Sequence, residues 1–142
     1  MVGTPKHSVS VAGVVVDDRD RVLVIRRRDN DHWEPPGGVL ELDETFEQGV
    51  CREIAEETGL AVAVEHLTGV YKNLTRGIVA LVFKCRPNGG QAHPTEEARE
   101  VRWMTRDEVR SAMSPAFAIR VLDAFEPTPQ VRTHDGVNLI SA

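Results

Sequence analysis

Cysteine is scarce in this chain of 142 residues, with only Cys51 and Cys85 present. Two thiols cannot build a disulfide framework, and they form no CxxC unit, so both are read as small hydrophobes of a core. Aromatic residues are also few, at 5% of the sequence. Trp33, Tyr71, Phe83 and Trp103 could stack on a base, but so small a stock is expected to be spent mainly on packing. An excess of positive charge is missing as well: 17 Lys and Arg stand against 22 Asp and Glu, a formal net charge of -5. That balance argues against a nucleic-acid polymer as partner, because gripping its backbone needs a basic face. It leaves room for a small phosphorylated substrate whose charge a metal ion offsets. No uninterrupted apolar run approaches the roughly 18 residues of a membrane span. Met1 to Ser8 carries no apolar stretch of the signal-peptide kind, so a cytoplasmic location with no membrane partner is expected. His32, His66, His93 and His134 show no metal-ligand spacing and receive no role.

What is present describes one soluble domain over residues 1–142, with a core of about Val9 to Phe125 and a tail, 127–142, of undetermined structure. Hydrophobic residues are 41% and charged residues 27% of the chain, ordinary values for a folded protein. No repeat, low-complexity tract or linker interrupts it. Ser8 to Val16 and Val22 to Ile25 read as strands joined by a tight turn at Asp17 to Asp20. Asp29 to Gly38, with Pro35, Pro36, Gly37 and Gly38, reads as a loop. Thr45 and Gln48 have capping-box spacing, which predicts a helix from Phe46 to about Thr58 with Gly59 as its C-terminal stop. Val62 to Tyr71 and Ile78 to Arg86 follow as neighbouring strands, and Val101 to Met104 as a short one. A second capping box at Thr105 opens a helix to about Met113, and Ser114-Pro115 opens a last one to Phe125. This order predicts an α/β (α+β) fold with a mixed sheet between helices.

The chemistry concentrates in the helix that starts at Phe46. At about 100° per residue, Phe46, Val50, Cys51, Ile54, Ala55 and Thr58 share an apolar arc. Glu53, Glu56 and Glu57 form an acidic stripe beside it, and Gly49 falls within that stripe. Carboxylates three and four residues apart repel. Beside a buried face they also resist desolvation. Arg52 offsets part of this charge, and a hard divalent cation would relieve the rest, since Mg²⁺ prefers oxygen ligands. Taken alone, REIAEE suits a solvated helix face. The Pro36-Gly37-Gly38 loop ahead of it, able to bring backbone oxygens near the acidic stripe, and Glu44 at the helix entrance turn the reading toward a metal site.

Gly38, Glu44, Arg52, Glu53, Ile54, Glu56, Glu57, Gly59 and Leu60 fill every specified position of the pattern G-x5-E-x7-R-E-U-x-E-E-x-G-U, where U is a bulky aliphatic residue. Chance alone would fill its seven fixed positions roughly once in 10⁸–10⁹ windows. The segment resembles the Nudix box, and the likeness extends over about Val9 to Phe125. The resemblance implies a Nudix-type α/β/α sandwich with a loop–helix–loop metal platform. It implies Mg²⁺, with Mn²⁺ as a substitute, on Glu53, Glu56, Glu57 and the backbone carbonyl of Gly37, with Glu44 and Arg52 orienting the platform. The implied reaction is attack of water on a phosphoanhydride of a nucleoside diphosphate linked to another group.

The resemblance leaves two residues as candidate general base: Glu53 within the stripe, and Glu97, six residues before Trp103 where family members carry a catalytic or metal-binding glutamate, in an acidic loop that could close over substrate. Arg26 and Arg28, which alternation places on one face of their strand with Arg27 opposite, are weaker candidates for substrate phosphate. The proline that marks ADP-ribose hydrolases about sixteen residues after the box is absent, since that region reads Thr75-Arg76-Gly77. Neither the NADH-hydrolase nor the coenzyme A signature occurs. A MutT-like (d)NTP pyrophosphohydrolase is therefore favoured, with an ADP-ribose or nucleotide-sugar pyrophosphatase as the alternative. A non-catalytic nucleotide-binding module is the alternative of another class, and a homodimer stays open.

Overall fold

The computed structural model describes residues 3–140. Its strands are β1 (Ser8–Val15), β2 (Val22–Arg27), β3 (Trp33–Glu34), β4 (Gly37–Val39), β5 (Ala61–Asn73), β6 (Ile78–Gly89), β7 (Ala98–Met104), β8 (Gln130–His134) and β9 (Leu139–Ile140). Its helices are α1 (Phe46–Thr58), α2 (Arg106–Ala112) and α3 (Pro115–Asp123). A mixed sheet of six strands runs β4-β1-β6-β5-β8-β9, and a smaller sheet runs β3-β2-β7. β1 lies parallel to β6 and antiparallel to β4, and β5 and β6 form a long antiparallel hairpin.

Alternation along β1 explains the layers. Val11 and Val15 face α1, where they join Val50, Ile54, Phe83 and Cys85 in one core. Ala12 and Val14 face the other way and pack with Tyr71, Val82, Val109 and Val121, so α2 and α3 cover the second face. The architecture is thus the expected α/β sandwich. Cys85 is fully buried and Cys51 half-buried, both as free thiols. Burial pushes the Cys85 thiol up to about 12, which suits packing and not chemistry.

Several expectations change in detail. β1 and β2 follow one another through a turn at Asp17 to Asp20, held by the Asp17 carboxylate accepting from the Arg19 and Arg21 amides, and an isolated bridge, Val16 to Val22, pairs the strands there. Beyond it the strands part into different sheets because each finds longer partners. The stretch expected to be a loop, Asp29 to Gly38, contains β3 and the start of β4, which caps the edge of the large sheet. The tail also folds: β8 lies parallel to β5 and extends the same sheet. Buried Asp123 fixes this addition, accepting from Tyr71 Oη (2.8 Å) and from both Nε and Nη2 of Arg132 (2.7 and 2.8 Å).

Candidate active site

Thr45 and Gln48 cap α1 reciprocally, and Gly59 stops it in the left-handed region at φ 79°, as the sequence predicts. The face that α1 buries is rotated from the expected arc. Gly49, Val50, Glu53, Ile54, Glu57 and Thr58 are buried, while Phe46 and Ala55 are exposed. The carboxylates of Glu53 and Glu57 therefore do not border the buried face; they belong to it, at 8% and 3% exposure. Glu56 lies outside, half exposed.

Glu97 reaches the same place from the loop between β6 and β7. One oxygen each of Glu53, Glu57 and Glu97 lies within 4.8 Å of the other two. The loop packs against the end of α1. Thr95 Oγ1 donates to the Glu57 carbonyl (2.9 Å), and the His93 amide donates to that of Thr58 (2.8 Å). Arg28 helps to hold the loop, with Nε donating to the Thr95 carbonyl (3.0 Å).

Backbone and arginine fix the other two carboxylates. The Gly37 amide donates to Glu57 Oε1 at 2.9 Å. A Cβ on Gly38 would stand 2.6 Å from the Glu53 carboxylate, so a side chain there would have to displace a carboxylate that Arg52 holds. Arg52 is the hub of the platform. Its Nε and Nη2 bond the two oxygens of Glu44 (2.9 and 2.6 Å), and its Nη1 donates to Glu53 (2.8 Å) and Glu56 (3.3 Å). These bonds hold Glu44 down at about 2 and raise Arg52 further. Glu57 moves the opposite way, pushed up to about 9 by burial and by the charges of Glu53, Glu34 and Glu97, against the pull of the Gly37 amide. Three converging carboxylates, one of them resisting ionisation, fit a hard divalent cation, which takes oxygen ligands and supplies the missing positive charge.

Across the Gly37–Gly38 edge, on the α3 side of the sheet, a cavity of about 730 Å³ opens. Glu34, Arg27, Phe117, Arg120 and His134 are among its walls. Its size is within the range that holds a nucleoside-sized ligand. Arg27, and neither Arg26 nor Arg28, lines it. Alternation along β2 holds, with Arg27 opposite Arg26 and Arg28, and the cavity takes the Arg27 face. Arg26 pairs instead with Glu100 at 3.0 Å. Of the aromatics weighed from sequence, Tyr71 and Phe83 are buried, and none of the four lines the cavity; Phe117 does. Phe117, Arg120 and His134 were missed. The one available signal was an arginine inside the apolar run Ala116 to Leu122.

Residues 6–125 match the family model of the NUDIX domain. The chain belongs to the Nudix family. A MutT-like protein of Streptomyces ambofaciens is 60% identical over 139 residues, covering 97% of this chain and 90% of the relative. An ADP-ribose pyrophosphatase of Methanocaldococcus jannaschii is 35% identical over 103 residues, 68% of this chain and 60% of that protein. The fold is shared with the crystal structure of a NUDIX hydrolase from Nitrosomonas europaea, at a TM-score of 0.78 and 20% identity, over 94% of this chain and 83% of that one. The protein is a Nudix hydrolase of the MutT-like kind, and the non-catalytic alternative finds no support. Nudix hydrolases generally work with a divalent metal. The matched region ends at Phe125, so β8 and β9 lie outside it. No helix among the described residues is long and apolar enough to cross a membrane.

Proposed function

We propose that this Nudix hydrolase is a magnesium-dependent pyrophosphohydrolase of nucleoside triphosphates. The observation that carries the reading is the carboxylate cluster Glu53, Glu57 and Glu97 on one side of the Gly37–Gly38 edge, with a nucleoside-sized cavity on the other. A diphosphate crossing that side-chain-free edge would meet the carboxylates while its nucleoside entered the cavity. Magnesium held by Glu53 and Glu57, with Glu56 at the rim, would neutralise the diphosphate and acidify a bound water within reach of Glu97.

The protein's own part is positioning. Arg52 holds Glu53 from one side while Glu44 holds Arg52, so the Glu53 carboxylate cannot swing away. The Gly37 amide fixes Glu57. Glu97 is the exposed member of the cluster and is the general base in this mechanism, because it alone can take a proton from water arriving at the open side. Both Glu53 and Glu57 are already committed to bonds within the platform.

An ADP-ribose pyrophosphatase is the second reading, favoured by the 35% identity to the Methanocaldococcus protein of that name. Product analysis separates them. With magnesium, a triphosphate pyrophosphohydrolase releases a nucleoside monophosphate and pyrophosphate, and ADP-ribose hydrolysis releases AMP and ribose phosphate. Turnover of ADP-ribose alone would replace the first reading by the second. Turnover of neither would sink both.

A further inference from the structure

Arg120 is a buried cation without an anion. It is 8% exposed and lines the cavity. Its Nε has no hydrogen-bond partner among the described residues. No carboxylate forms an ion pair with it among the described residues, and Glu34 acts on it only through longer-range charge. Its guanidinium carbon lies 4.7 Å from the Phe117 ring centroid and 5.1 Å from that of Tyr71, so the aromatics cover its faces and leave its edge for polar contacts. Burying such a charge unpaired costs several kcal/mol, and a fold retains it where something else completes it.

His134 sharpens the deficit. The Gly136 amide donates to His134 Nδ1 at 2.9 Å, so Nδ1 carries the lone pair and the neutral ring keeps its proton on Nε2. That Nε2 stands 3.3 Å from Arg120 Nη2. Two donors face one another with no acceptor between them. Asn73 adds a third: its Oδ1 already accepts from the amides of Thr75 (3.0 Å) and Arg76 (3.2 Å), which leaves its NH₂ group to the cavity. The acidic groups of the cavity are largely engaged, Asp29 and Glu34 with Arg27 and Asp135 with the amides of Val137 and Asn138. Arg120, His134 Nε2 and the Asn73 amide therefore present donors to this end of the cleft with no acceptor bonded to them among the described residues.

We propose that Arg120 is the specificity-determining residue of the cleft and receives the adjacent acceptors O6 and N7 of a 6-oxopurine base, with His134 of the β8–β9 hairpin as its positioning residue. The inference rests on the nucleotide reading above. The diphosphate is committed to the carboxylate side of the Gly37–Gly38 edge, so the part of the substrate that reaches Arg120 is the base. A planar guanidinium matches O6 and N7 of guanine, whereas adenine places its N6 amino donors against the donors of arginine. β8 and β9 thereby acquire a use: they carry His134 and close the cavity from outside the family-matched region.

The test is equilibrium titration of GDP, IDP, ADP and inorganic pyrophosphate, each with magnesium, into the wild type and Arg120→Met, with GTP and ATP turnover followed in parallel. GDP and IDP should bind the wild type about tenfold or more tighter than ADP. Arg120→Met should erase that preference and leave ADP and pyrophosphate within about threefold, since methionine fills much of the same volume without the donors. Arg120→Lys, which keeps the charge and loses the fork, should erase it too and serves if the methionine variant does not fold. His134→Gln, able to accept from Gly136, should retain most of the preference, and His134→Ala should lose it. Equal binding of GDP and ADP by the wild type overturns the proposal. So does equal weakening of all four ligands in Arg120→Met, which would put phosphate on Arg120. Intact discrimination without turnover of any nucleotide would sink the hydrolase reading and leave this inference standing.

Discussion

The two ends of the cleft are opposite electrostatic problems separated by one strand edge. At the α1 end, three carboxylates converge with too little positive charge among them. At the α3 end, a buried guanidinium and an imidazole N–H meet with no acceptor. Each end is costly in isolation, and a metal nucleotide offers both missing halves: cations at its phosphates and acceptors on its base. A charge imbalance is informative when the surrounding bonds are otherwise satisfied, as those of Arg52, Glu44 and Asp123 are.

The largest effect is expected from removing a carboxylate at the acid end. Glu57→Gln keeps the shape and the bond from Gly37 while removing a hard ligand, so hydrolysis should be nearly abolished with the fold intact. Excess EDTA should do the same to the wild type. Circular dichroism beside a turnover assay checks both, and full activity in either case removes metal from the acid end.

Next in size is Glu97→Gln, which should lower kcat by about 10²–10⁴-fold with magnesium affinity little changed, the range expected for a general base. The profile of kcat against magnesium decides between candidates. If Glu97→Gln stays within about threefold of wild type at saturating magnesium while Glu53→Gln loses both rate and metal binding, the base is Glu53.

The acid end was legible in the sequence because its parts are close in the chain and locally encoded. The capping box, the i,i+3 and i,i+4 carboxylates and Gly38 all lie between Gly37 and Leu60. Even there, the wheel misplaced the buried face, since Leu40, Glu44 and Val11 pack on the Gly49 side and draw it inward. Glu97 could be named but not placed, because its position depends on Thr95 bonding a carbonyl 38 residues away. The cation end was not legible. Arg120, His134 and Asn73 come from three elements: the pairing of β8 with β5 sets His134 beside Asn73, and α3 brings Arg120 over Tyr71. A tail rich in polar residues gave no periodicity to announce that strand.

A smaller effect contrasts the two ends through pH. Without metal, Glu57 sits at about 9 in the folded chain against an ordinary 4.5. Between those values the folded state holds a proton that the unfolded state has released. Its contribution to stability is therefore full below about 4.5 and lost as pH rises toward 9. His134 runs the other way: burial, and then the charge of Arg120, lower it from 6.5. Its contribution is present above 6.5 and declines as pH falls below that value. Thermal melting in EDTA should show stability falling from neutral pH to 9, and Glu57→Gln should flatten that limb. A variant that retained the full alkaline slope would mean that Glu57 is ionised in the metal-free fold.

The smallest expected effect asks how rigidly the acid end is built. Helix propensity alone would make Gly49→Ala stabilising by about 1 kcal/mol. The packing argues for the reverse, because a Cβ there would stand 2.6 Å from Leu40 Cδ1, 3.0 Å from Glu44 Oε1 and 3.1 Å from Val11 Cγ2. Leu40 can turn aside cheaply, but Glu44 is held by Nε and Nη2 of Arg52 and by the Glu41 amide, and Val11 is in the core. The added methyl must therefore displace Glu44, and Arg52 with it, or push α1 from the sheet. Net destabilisation of about 1 kcal/mol is expected, from an overpacking cost of about 1–3 kcal/mol less the propensity gain. Because Arg52 also holds Glu53, kcat should fall more than nucleotide affinity does. Denaturant melts and a kcat-against-KM comparison check the two parts separately. An alanine variant that is more stable and fully active would show that Glu44 and Arg52 can move without disturbing the carboxylates, and that the acid end is no more rigid than the cation end.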